Sequence, residues 1–89
     1  MSTVHLIIQG KVQGVFYRAS ARKMADQLDV RGWVRNGYEG NVEIMAQGAD
    51  EQVEKFIHWC KQGPPAARVE KITVEAVAEQ SFLAFNIVH

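Results

Sequence analysis

The chain has 89 residues, 47% of them hydrophobic and 22% charged, which supports one domain over residues 1–89 with a single core and leaves too little apolar material for two. Ten basic and ten acidic side chains cancel, so the molecule as a whole has no field that would gather nucleic acid or an anionic membrane. No run reaches the ~18 apolar residues of a membrane span, the Met-Ser-Thr start lacks a signal-peptide pattern, and a lone cysteine, Cys60, excludes an internal disulfide; the expectation is a soluble, cytoplasmic monomer.

The first element is a strand, Thr3 to Gln9, from its β-branched content and the apolar set Val4, Leu6 and Ile8. It ends at Gly10. A helix opening near Tyr17 follows, with Ala21, Met24, Ala25 and Leu28 at i, i+3, i+4 and i+7. Alternation then predicts two strands, Val30 to Arg35 and Val42 to Gln47, around a hairpin loop from Asn36 to Gly40. In a second helix Val53, Phe56, Ile57 and Cys60 repeat the apolar template, with Asp50 expected as N-cap and Gly63, Pro64 and Pro65 as the stop. Ile72 to Ala76 and Phe82 to Val88 read as further strands joined by a turn at Glu79, Gln80 and Ser81. Two helices with one apolar face each must bury those faces on a sheet. The order therefore predicts a two-layer ferredoxin-like α/β sandwich of the split βαβ type with an added terminal strand, its sheet mainly antiparallel and both helices on one face.

Charge is unevenly placed. No acidic residue precedes Asp26, while Lys11, Arg18, Arg22 and Lys23 all fall in that stretch. A helix N-terminus is the positive end of the dipole and favours anions, so cations there call for an anionic ligand. Gly10 and Gly14 free the backbone to aim several N–H groups at one point, the helix start leaves its first N–H groups open, and Arg18 adds a planar fork that matches phosphate oxygens. The segment lacks the Gly-Lys-Ser/Thr ending of a P-loop and the glycine spacing of a dinucleotide site.

Gly10-Lys11-Val12-Gln13-Gly14-Val15-Phe16-Tyr17-Arg18, then Gly32-Trp33-Val34-Arg35-Asn36, then Gly40-Asn41-Val42-Glu43, with the Phe85-x-Ile87 ending, resembles the acylphosphatase family in order and spacing. The resemblance implies hydrolysis of the carboxyl-phosphate bond of small acyl phosphates with no cofactor and no metal. It makes Arg18 the phosphate-binding arginine and Asn36 the residue that orients the attacking water, with the backbone N–H groups of Gln13, Gly14, Val15, Phe16, Tyr17 and Arg18 as the phosphate cradle. Tyr17 stands where the family commonly has phenylalanine, Gly37 where a polar residue is frequent, and Asn41 where threonine or serine is.

His5, His58 and His89 have no metal-ligand spacing, Cys60 reads as a small buried hydrophobe, and Trp33 and Trp59 as packing residues. RNA recognition on this fold needs aromatic residues on the central strands, and the segment Asn41 to Gln47 has none and carries an acid. The competing reading is a phosphate- or carbamoyl phosphate-binding module with little turnover, because domains of this family also occur inside larger enzymes.

Overall fold

A computed structural model covering residues 1–89 contains the strands β1 (Ser2–Lys11), β2 (Arg31–Asn36), β3 (Val42–Gly48), β4 (Arg68–Ala76) and β5 (Phe85–Ile87), with helices α1 (Tyr17–Gln27) and α2 (Asp50–Gln62). The sheet order is β4-β1-β3-β2-β5. Its first four strands pair antiparallel and β5 runs parallel to β2. This is the expected sandwich, and both helices lie on one face.

The register explains the layering. Leu6 faces Ile44 and Val74, and Ile44 faces Val34, so alternate positions on neighbouring strands share the helix side of the sheet. Leu6, Ile8, Val34, Val42 and Ile44 are fully buried there against Ala21 and Ala25 of α1 and Val53, Phe56 and Cys60 of α2. Alanine at both central contacts of α1 lets that helix lie close to the sheet.

Besides the strand ends, three local expectations change. Gly10 lies inside β1, at a bulge against β4, where a Cβ would stand 2.1 Å from the Arg68 carbonyl oxygen; its missing side chain serves strand contact rather than the loop. Asp50 is the first helical residue of α2, after Ala49, and its carboxylate takes a 2.6 Å hydrogen bond from Ser2 Oγ and pairs with the N-terminal amine at 3.1 Å. A carboxylate in the first turn still complements the dipole.

The third change is topological. Strands β4 and β5 lie at opposite edges of the sheet, so the segment from Val77 to Ala84 crosses the sheet end instead of making a tight turn at Glu79 to Ser81. Gln47, buried on β3, holds it: the side-chain amide donates to the Gln80 carbonyl oxygen at 2.8 Å and accepts from the Gln80 N–H at 2.9 Å. Thr3 donates to the same amide oxygen at 2.6 Å. The buried polar cluster is thereby satisfied.

Candidate active site

The segment between β1 and α1 turns through two left-handed residues, Gly14 at φ +71° and Phe16 at φ +64°. Successive residues of opposite hand curl the backbone into a concave nest of N–H groups. None of the N–H groups from Gln13 to Arg18 donates to a backbone carbonyl; the helix begins to close only with the Ser20 N–H on the Phe16 carbonyl, at 3.0 Å. Above Gly14 the space is open, with nothing within 4 Å of where a Cβ would sit. A row of unpaired donors beside open space has the chemistry to cradle an anion.

Arg18 is half-buried in the first turn of α1. With Gly14 and Phe16 it lines a cleft of ≈ 520 Å³, completed by Ala19, Arg22, Ile87 and His89. Arg18 Nη1 lies 3.5 Å from His89 Nδ1, the outer limit of a hydrogen bond, and because a guanidinium only donates, Nδ1 is the acceptor. The ion pairs of the chain are Met1–Asp50, Arg35–Glu43 and Lys55–Glu51, and Glu43 is also hydrogen-bonded to His5, so neither Arg18 nor Arg22 has a carboxylate partner. A second cleft, ≈ 490 Å³ and lined by Met1, Asp29, Arg31 and Gln47, lies at the other end of the sheet, away from the open N–H groups.

Asn36 ends β2 opposite Val42, two residues after the buried Val34, and therefore on the helix side of the sheet; its side chain is exposed. It does not line the cleft itself. The link to the loop is the side chain of Gln13, whose Nε2 donates to the Asn41 carbonyl oxygen at 2.8 Å and to the Gly37 carbonyl oxygen at 3.3 Å. Gly37 closes the hairpin by donating to the same Asn41 oxygen at 2.8 Å. The cradle and the loop beside Asn36 are thus fastened to each other.

Comparison with known proteins places the chain in a family. The Acylphosphatase family profile matches residues 4–87. The chain belongs to the acylphosphatase family. An acylphosphatase of Acaryochloris marina is 53% identical over 81 residues, 91% of this chain and 87% of that one. The crystal structure of acylphosphatase from Bacillus subtilis superposes with a TM-score of 0.96 at 33% identity, covering all of both chains. Full-length HypF in its phosphate- and nucleotide-bound form also matches, with a TM-score of 0.91 at 29% identity, over 99% of this chain but 12% of that one.

Beneath the family loop, Tyr17 is buried and its hydroxyl donates to the Cys60 carbonyl oxygen at 2.7 Å. Burial first, then the neighbouring Cys60, drives the phenol pKa far upward, and burial pushes the Cys60 thiol up to about 12. Both stay neutral and structural. The cleft also holds the exposed ring of Phe16, 80% accessible, Arg22 of the acid-free basic stretch, and His89, which no sequence motif brings to the loop. His89 arrives because β5 runs parallel to β2, with Ile87 beside Val34, which brings its C-terminal end to the end of the sheet that holds the loop.

Proposed function

We propose that this acylphosphatase binds the phosphoryl group of an acyl phosphate on the N–H groups of Gln13, Gly14, Val15, Phe16, Tyr17 and Arg18 and on the Arg18 guanidinium, while Asn36 orients the attacking water. The observation that carries the reading is the unbroken run of unpaired N–H groups around Gly14, with Arg18 on the same cleft.

The chemistry asks for little beyond this. The water oxygen attacks phosphorus, the bond from phosphorus to the acyl oxygen breaks, and its electron pair leaves on the carboxylate; a water proton passes to a phosphoryl oxygen. A carboxylate is a good leaving group, so no general acid has to protonate it. Charge in the loose transition state spreads over the equatorial oxygens, where preorganised N–H groups and Arg18 meet it. An amide both accepts and donates, so Asn36 can hold a water in line without taking its proton.

Residues 1–89 act in this reading as one acylphosphatase domain, supported by the single core cluster, and as a monomer. A cytoplasmic location is supported by the single cysteine, buried and free. The likeness to HypF supports a second reading, a phosphate- or carbamoyl phosphate-binding module with little turnover. Benzoyl phosphate hydrolysis, measured with and without a chelator and with inorganic phosphate as inhibitor, separates them. Chelator-insensitive turnover with competitive phosphate inhibition is the expected result; phosphate binding without turnover establishes the module instead.

A further inference from the structure

The phosphoryl cradle and Arg18 account for only part of the cationic cleft. Arg22 sits one helical turn beyond Arg18 and lines the same cleft together with His89. Two arginines at i and i+4 repel each other, and the N-terminal end of the helix disfavours Arg18 in its first turn. No acidic residue stands in the first turn of α1, and neither arginine has an ion-pair partner. Arg22 is exposed at the mouth of that cleft, and with the phosphoryl group held by the loop and Arg18 its guanidinium is free to meet a further anion.

The walls between these charges are apolar: Phe16, Ala19 and Ile87 line the cleft. A carbon chain leading away from the cradle has that surface to lie on, and Arg22 stands about 5–6 Å further along the helix than Arg18, with a long flexible side chain to extend the reach. That is the spacing of a second anionic group carried a few carbons from the acyl carbonyl. We propose that Arg22, with His89 on the same cleft, is the distal anion contact of the acyl group, so that the enzyme favours acyl phosphates bearing a second carboxylate over neutral ones. The inference rests on the phosphoryl site described above.

The test uses a matched pair of rigid substrates, benzoyl phosphate and 3-carboxybenzoyl phosphate, and reads the ratio of their kcat/KM values. Arg22→Gln lowers the ratio for the carboxylated substrate about fivefold, mainly through KM, the size of one charge-assisted contact at a partly solvated site. His89→Gln lowers it in part, and added salt shrinks the preference of the unaltered enzyme. Lys23→Gln, which removes a neighbouring cation that lines a different depression, leaves the ratio where it was. An unchanged ratio in Arg22→Gln, or an equal fall in Lys23→Gln, overturns the proposal. Arg18→Ala keeps the two readings apart: if it retains benzoyl phosphate turnover the phosphoryl site itself is misplaced, whereas its loss alongside an unchanged Arg22→Gln ratio rejects only the distal contact.

Discussion

Gln13 Nε2 lies 2.8 Å from the carbonyl oxygen of Asn41, so a side chain of the loop between β1 and α1 closes onto the backbone of the hairpin that carries Asn36. The proposed cradle and Asn36 come from different parts of the chain and share this fastening. Gln13→Ala keeps the Gln13 N–H but releases the hairpin. One such hydrogen bond is worth ~1 kcal/mol, and the expected result is a kcat about 5- to 10-fold lower with the inhibition constant of inorganic phosphate little changed. Equal losses in kcat and phosphate affinity would place the damage in the cradle instead.

Arg18→Ala and Asn36→Ala separate binding from water orientation. Removing one preorganised contact to the transition state costs ~3 kcal/mol, a hundredfold or more in rate. Both variants lose that much benzoyl phosphate hydrolysis, with folding checked by circular dichroism. Asn36→Ala still binds phosphate, while Arg18→Ala binds it weakly. Near-normal turnover by a folded Asn36→Ala protein is incompatible with the role assigned to that amide.

The Tyr17 hydroxyl addresses a different problem. Cys60 lies in the last turn of α2, and the N–H that would ordinarily serve its carbonyl, four residues on, belongs to Pro64, which has none. Tyr17 supplies the donor instead. Tyr17→Phe leaves a buried carbonyl unsatisfied at a cost of ~1 kcal/mol or more, which lowers Tm by about 5 °C in a domain of this size. Thermal unfolding with no shift would show that water already satisfies the group.

Glu43 makes stability sensitive to acid. Burial raises its pKa, but hydrogen bonds from His5 and Arg35 outweigh it and hold the carboxyl below its ordinary value; the contacts are 2.6 Å each to His5 Nε2 and Arg35 Nε. A carboxyl with a depressed folded pKa contributes stability that is fully present above its unfolded value and lost as pH falls through the folded one. Urea unfolding is therefore expected to weaken below about pH 4.3, and Glu43→Gln flattens that loss. The same acid slope in the variant would assign it to other carboxylates.

Both helices, the hairpin and the loop are legible in the sequence because each rests on a local period or on a short run of residue types. Ala21, Ala25, Val53, Phe56 and Cys60 are read from helical spacing, and all are buried. Arg18 and Asn36 are named by motifs that need no tertiary information. The end of the chain is different. A strand read as Phe82 to Val88 shrinks to Phe85–Ile87, because apolar content alone does not say which residues find a partner across a sheet edge.

What the sequence determined by itself is the set of elements, the layer they form and the residue types at the loop, since these follow from periodicity and from the conformational limits of glycine and proline. What only the tertiary structure decided is who meets whom at long range. Gln13 reaches Gly37 across 24 positions, and Arg18 meets His89 across 71. Those meetings depend on the order of strands in the sheet and on the crossing from one edge to the other, which Gln47 anchors at Gln80. Local patterns fix which face of an element is buried; only packing of the whole chain brings Arg22 and His89 to one cleft.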